Sequence, residues 1–409
     1  MREITIVGGV YGEVCDFPRN QTIRGSAGRS AVALASEAKT SLFAFIDSEM
    51  EREFRAICNN NNVHETLFSR EDPIWFRYRH PLSSPVRYDT NKEYTLGSEV
   101  TADQCLVFGT IENRPEVHAN NVVYDPQNVN TASSFSSNGS KANSVIYVVS
   151  LLEGKVLTQC EEPKNIASKI MTFDNVTGVI VKCGPLGAFV TDRNESEWVP
   201  CFPSTKVYKI GTGDIYSAAI ALFHLLDGVS LRDSAWYASA AVSRYVESPI
   251  ERLLFEKKDE IVNIAKRMMD QKRPYQPKSL SNKKVYLAGP FFNTAQQWLI
   301  DEARETLQGF GLEVFSPIHD VGEGAYDEVA SLDIAGIDAS DIVLAIVDGN
   351  DSGTLFEVGY ARGRDIKVIA IAESCDEQNL TMIRGSGCGV AGDFATGIYA
   401  VCWELLADD

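Results

Sequence analysis

Short apolar runs recur along the chain, each bounded by polar or helix-patterned stretches. Ile4–Val7, Cys105–Phe108, Val145–Val149 and Val179–Val181 have the length and composition of buried strands. Longer helical patterns lie between and after them. One is a small-residue stretch from Ile215 to Leu226. A second, rich in Ala and Ser, runs from about Leu231 to Val246. A third runs from about Ile250 to Gln271, with its charges on one side. Strands alternating with helices predict an α/β architecture with a mostly parallel sheet. Asn59–Asn62 and the Ser/Asn-rich stretch Asn128–Ser140 read as loops.

The rhythm breaks at Lys272-Arg273-Pro274-Tyr275-Gln276-Pro277-Lys278-Ser279, where two prolines sit among polar residues, and this reads as a linker. It restarts at Lys284-Val285-Tyr286-Leu287. The predicted organisation is a first domain over 1–250, a helix and linker over 251–282, and a second domain over 283–409.

Composition narrows the partners. With 409 residues and 44% hydrophobic content the chain is long enough for separate cores. No apolar run nears the ~18 residues of a membrane helix. The N-terminus has no basic region followed by a long apolar stretch, so no secretory signal is expected. A net charge of -18 disfavours the backbones of polymeric nucleic acid. The nine cysteines form no Cys-x-x-Cys pair and the five histidines are dispersed. Neither a disulfide framework nor a metal site is expected, and a cytoplasmic protein is.

In the second domain, Val285–Phe292 reads as a strand running into a Gly289-Pro290 turn, followed by a helix from about Thr294 to Phe310. In open α/β sheets ligands sit beyond the carboxyl ends of strands, so Gly289, Pro290 and Phe291 are candidate pocket walls. A strand over Ile342–Val347 leads to a turn holding Asp351. Ser352 or Thr354 then caps a helix with Glu357 in its first turns. An acid there complements the helix dipole, and it is also suited to chemistry. Tyr286–Phe291, Asp333 with Asp341, Asp351–Ala361 and Asn379–Met382 together resemble the nucleoside 2-deoxyribosyltransferase family. The resemblance implies a flavodoxin-like, doubly wound parallel-sheet fold and a homo-oligomer whose pockets borrow from a neighbouring subunit. It further implies that Glu357 is the nucleophile at the anomeric carbon and that Tyr286 orients it. Asp351 and Asp333 would contact the base, one of them supplying its proton, and Asn379 would reach a neighbour's sugar. A carboxylate that traps an oxocarbenium-like centre suits cleavage or transfer of an N-glycosidic bond. No arginine follows Gly289, which favours an unphosphorylated sugar; Arg384 is a candidate phosphate ligand or a solvated loop residue.

In the first domain, Lys209-Ile210-Gly211-Thr212-Gly213-Asp214 precedes the small-residue helix. Glycines at a helix start expose N–H groups that hold anions. This stretch resembles the anion-hole signature of the ribokinase-like (PfkB) sugar and nucleoside kinases. Val179–Ala188, Glu153 in Leu151–Gly154 and Gly25-Ser26-Ala27-Gly28-Arg29-Ser30-Ala31 resemble further parts of that family. A ribokinase-like α/β domain is implied, using ATP with Mg2+. Asp214 would be the base, and Gly211, Thr212 and Gly213 the anion hole. Lys182, Gly184 and Glu153 would lie near the nucleotide, with Asp16 on the acceptor hydroxyls. The acidic residue and threonines expected before the glycines are replaced by Tyr208, Lys209 and Ile210.

The combined expectation is an enzyme of nucleoside metabolism that acts on a small nucleoside or nucleotide, its first domain phosphorylating a sugar or nucleoside. The alternative is a nucleotide-degrading effector gated by ligand binding to a catalytically inactive kinase-like domain.

Overall fold

The structure, a computed structural model, describes residues 2–88, 99–127, 130–271, 275–277 and 279–407. Lys272, Arg273, Pro274 and Lys278 of the predicted linker lie outside the described residues, as do Asn128 and Val129 of the predicted loop. The chain divides into two compact units. One is Met1–Ser204 with Tyr208–Gln276, and the other is Thr205–Val207 with Pro277–Asp409.

The strands of the first unit are β1 (Glu3–Gly9), β2 (Gly12–Cys15), β3 (Asn20–Ile23), β4 (Lys39–Asp47), β5 (Val63–Arg70), β6 (Trp75–Tyr78), β7 (Val86–Tyr88), β8 (Glu99–Phe108), β9 (Glu116–Asp125), β10 (Lys141–Ser150), β11 (Val176–Lys182), β12 (Ala188–Asp192) and β13 (Ser196–Val199). A nine-stranded sheet runs β13-β12-β11-β10-β9-β8-β1-β4-β5. It is parallel from β5 through β11 and antiparallel at the β12–β13 edge. Successive side chains on a strand point to opposite faces, and the apolar runs feed two cores accordingly. Ile4, Ile6, Leu106, Ile146, Val148 and Ile180 join one core, while Val7, Val107, Tyr147, Val149, Val179 and Val181 join the other. A smaller sheet, β3-β2-β6-β7, stands beside the first β-α turn of the chain.

The predicted small-residue helix begins earlier than its apolar pattern, at Thr212. It runs to Ile220 and continues as a wider π turn to Leu226. Leu231–Glu247 is helical, with Ser230 capping the Asp233 N–H. The segment after 250 forms helices Glu251–Leu254 and Lys258–Met269, and its Leu254, Phe255, Ile261 and Ala265 are buried in the first core. Asn59 and Asn60 close the helix Ser48–Asn60, so the predicted loop there shrinks to Asn61 and the left-handed Asn62.

The second unit has β14 (Lys284–Ala288), β15 (Glu313–Phe315), β16 (Ile342–Ile346), β17 (Lys367–Ile371) and β18 (Gly389–Ala391). All pairs are parallel, in the order β15-β14-β16-β17-β18. Counted within the unit this is the 2-1-3-4-5 order of flavodoxin-like sheets, whose switch point lies between the first and third strands. β14 and β16 are fully buried along their apolar runs, as a sheet covered on both faces requires. Among the described residues no helix is long and apolar enough to cross a membrane.

Candidate active site and a second cavity

In the second unit, β14 ends at the switch point and delivers Tyr286 to the site. Its ring is fully buried and stacks on Phe315, centroids 5.5 Å apart. The Tyr286 hydroxyl donates to Glu357 Oε1 at 2.7 Å. Glu357 stands on the helix Ser352–Gly363, whose N-cap is Asp351 rather than Ser352 or Thr354. Asp351 Oδ2 accepts from the Thr354 N–H at 2.8 Å and from its hydroxyl at 2.9 Å. The cap therefore fixes the start of the element that carries Glu357.

The electrostatics are those of crowded, half-buried acids. Burial pushes the Glu357 carboxyl up to about 7; the Tyr286 hydrogen bond opposes this, and Asp333 and Asp351 add to it. Burial raises Asp333 as well, and its Oδ1 is buried without a hydrogen-bond partner. Tyr286 is held well above the usual phenol range, by burial first and then by Glu357, so it remains a donor. Gly289 packs closely: a β-carbon there would lie 2.7 Å from Ile300 Cδ1 and 3.2 Å from Ile346 Cβ, so a side chain would push on both. Pro290 is buried and Phe291 touches Phe292, their ring centroids 5.3 Å apart. Tyr286, Glu357, Asp333 and Asp351 are thus brought together. Asn379 is exposed on the short helix Glu377–Leu380, and Arg384 is exposed and pairs with Glu377 at 3.2 Å. Asp341 receives the Lys284 N–H and pairs with Lys283, a structural role at the foot of the sheet.

The first unit holds a cavity of about 300 Å³ at the N-terminus of the helix Thr212–Ile220, lined by Gly211, Gly213, Asp214 and Glu153 among others. Gly211 takes the left-handed φ of 82° that turns the chain into that helix. Asp16 is not in this cavity. It is exposed one residue beyond β2 and pairs with Arg77 at 2.9 Å, while Glu13 on β2 lines the cavity.

Asp214 is buried with both oxygens engaged. Arg29 Nη1 donates to Oδ2 at 2.5 Å and Gln127 Nε2 to Oδ1 at 2.6 Å. Arg29 is 2% exposed and its other nitrogens meet Glu13, Tyr245 and Glu251. A β-carbon at Gly211 would collide with its guanidinium. Gln127 holds a left-handed φ of 53° and also accepts from the Ser26 hydroxyl. Such backbone strain in a non-glycine residue persists only where its surroundings impose it. Glu13, Arg29 and Gln127 are the functional candidates that pattern reading passed over. The one signal was Arg29 itself, a charge among the small residues Gly25–Ala31.

Each residue expected near the nucleotide has a partner or role within the protein. Lys182 lies beside Gly213 but pairs with the buried Asp125 at 2.8 Å. Glu153 caps its own helix by accepting the Ser150 N–H at 2.7 Å. Gly184 opens the turn to Gly187, where the Tyr275 hydroxyl donates to the Leu186 carbonyl at 3.0 Å. Among the described residues no three His, Cys, Asp or Glu side chains gather in a metal-holding group.

Comparison with known proteins agrees with this division. Residues 285–392 match the family model of the nucleoside 2-deoxyribosyltransferases, so the second unit carries a domain of that family. The first unit has a ribokinase-like fold. A candidate ribokinase of Agrobacterium tumefaciens superposes with a TM-score of 0.52 at 14% identity, over 66% of this chain and 99% of that one. Phosphofructokinase-2 of Escherichia coli in complex with potassium has a TM-score of 0.47 at 15% identity, over 65% of this chain and 99% of that one. An uncharacterized protein of Ureaplasma parvum serovar 3 is 34% identical over 91 residues, 19% of this chain. The chain spans 58% of the length of that curated relative.

Proposed function

We propose that the second unit cleaves or transfers the N-glycosidic bond of an unphosphorylated nucleoside, with Glu357 as nucleophile. The observation that carries this reading is the Tyr286–Glu357 hydrogen bond inside a cluster with Asp333. A Glu357 oxygen bonds to the anomeric carbon as the C–N bond breaks and its electron pair leaves with the base. Asp333, whose burial favours its protonated form, gives that base a proton. A second base or water then attacks the anomeric carbon and releases Glu357. The groups that act on Glu357 from nearby are the acids Asp333 and Asp351, surroundings that favour a neutral nucleoside over a monophosphate.

The test is chromatography of the purified protein with a panel of deoxynucleosides and their monophosphates, with and without a second free base. Base release is expected from nucleosides, and Glu357→Gln should lower it by about three orders of magnitude or more. An unchanged rate in Glu357→Gln would sink the mechanism.

Two readings of the first unit were open: a kinase using ATP and Mg2+, and a ligand-binding unit that gates the second. The engagement of Asp214 by Arg29 and Gln127 favours the latter, since a proton reaching Asp214 must disrupt an ion pair.

A further inference from the structure

We infer that Phe315 is a positioning residue of the glycosidic site: it wedges between the ring of Tyr286 and the helix that carries Asp333, and so fixes where the Tyr286 hydroxyl meets Glu357. The inference rests on the glycosidic reading of the second unit and deepens it. Tyr286 and Phe315 are direct partners across the parallel β14–β15 pair. Their rings lie nearly flat on one another, 19° from parallel with centroids 5.5 Å apart. Lys284 Nζ stands 5.5 Å from the Phe315 centroid, within cation–π reach. An edge of the Phe315 ring meets Gly336 on the helix Tyr326–Asp338. A β-carbon at Gly336 would lie 2.5 Å from Phe315 Cε1 and 2.7 Å from its Cζ, so the missing side chain is what lets the ring seat there. Asp333 stands three residues before Gly336, on the same side of that helix. One ring therefore spaces the hydrogen-bond donor of Glu357 from the helix of the acid.

Tyr286 needs such a support. Its hydroxyl reaches Glu357 Oε1 at 2.7 Å, and that bond holds its geometry only if packing locks the side-chain torsions behind it. The flat face of Phe315 supplies the lock. Phe315 is itself held. β15 is three residues long, so its ladder is short, and the turn after it is pinned by side chains. The Ser316 N–H donates to Asp320 Oδ2 at 2.8 Å, His319 Nδ1 lies 3.1 Å from Ser316 Oγ, and His319 Nε2 lies 3.0 Å from Asp301 Oδ1. The groups acting on Glu357 are Tyr286 from β14, Asp333 from the helix Tyr326–Asp338 and Asp351 from the head of its own helix. The two acids raise the Glu357 carboxyl and the Tyr286 bond opposes them. Displacing Tyr286 therefore has a defined sign: the carboxyl titrates at higher pH.

The experiment follows the Glu357 carboxyl by 13C NMR in the full chain, labelled at its glutamate carboxyls, the signal being assigned as the one absent from Glu357→Gln. This readout needs no turnover. Phe315→Leu keeps an apolar side chain and removes the flat face. Its Glu357 midpoint should rise above that of the parent, as it should in Tyr286→Phe. Placed on Tyr286→Phe, Phe315→Leu should shift the midpoint no further, because the two changes act through one bond. Gly336→Ala, which presses on the ring from the helix of Asp333, should shift it upward too. The plateau rate of base release should fall about tenfold in Phe315→Leu. A midpoint unmoved in a folded Phe315→Leu would overturn the inference, as would an equal shift on the Tyr286→Phe background. Should Phe315→Leu not fold, Gly336→Ala decides, and an unmoved midpoint there overturns it. Shifts of the expected sign in a parent that releases no base from any nucleoside would sink the glycosidic reading alone and leave the placement of Tyr286 by Phe315 standing.

Discussion

At the residue scale the second unit turns on one proton. In the proposed mechanism Glu357 attacks as the ionised carboxylate, and burial pushes its carboxyl up to about 7. The rate of base release should therefore climb as pH rises through about 7 and level off above it. The sign for stability is opposite. A carboxyl raised on folding binds its proton more tightly in the native state, so it favours folding at low pH and loses that contribution as pH rises towards 7. Glu357→Gln should accordingly gain in melting temperature over the parent at pH 8 and not at pH 4. Tyr286→Phe removes the donor that stabilises the ionised form. The pH–rate midpoint should move upward and the plateau rate fall about 10- to 100-fold; a profile unmoved by this change would show that the phenol does not act on Glu357. Glu357, Tyr286 and Asp333 were named from motifs that resemble one family, and the structure brings the three near one another. Asp16 was named for the acceptor from the resemblance; it falls one residue beyond β2 and outside the cavity, whose lining from that stretch is Glu13.

At the element scale the strand ends of the first unit are joined by charge. Arg70 closes β5 with its side chain fully buried, bonding Glu112 and, at 3.0 Å, Asp47 at the end of β4. Tyr11 donates to the other Glu112 oxygen at 2.7 Å. Removing one partner of a buried pair leaves the others uncompensated, typically at a cost of about 3–5 kcal/mol. Arg70→Met should destabilise the first unit by that order in urea unfolding; a change within experimental error would mean water reaches the cluster. Apolar runs predicted β1, β8, β10 and β11 and, in the second unit, β14 and β16, yet gave no hint of this network, whose members lie far apart in sequence. Helix starts were also misread: side-chain capping by Asp351 and the glycine turn at Gly211 depend on single φ/ψ values that a hydrophobic period does not encode.

At the scale of the whole molecule, large apolar side chains are exposed on both units, and on the second they include several on or beside its helices. Tyr326 is 96% exposed, and Leu332, Phe356, Phe292 and Met382 are also open. A helix such as Tyr326–Asp338, whose only buried residues are Gly336 and Ile337, buries too little to stand alone. Self-association through this surface is the expected outcome, and Leu332→Glu should lower the sedimentation coefficient of the native protein. If the parent sediments as a monomer, the surface serves something else. The two α/β rhythms were plain in the sequence. The assignment of Thr205–Val207 to the second unit was not, because it rests on tertiary bonds such as the Val207 N–H to Thr396 Oγ1 at 2.9 Å.

Gln127 sets a limit on how freely the first unit can drift. Its backbone sits where glycine and asparagine are at ease, while its amide spans Ser26 and Asp214. Glycine would relax the chain and surrender both bonds. Asparagine would tolerate the backbone but is a methylene short, and glutamate would set a negative charge against Asp214. No other side chain satisfies the dihedral and the two bonds together. Position 127 is therefore a place where the backbone and the two bonds together leave almost no choice of side chain.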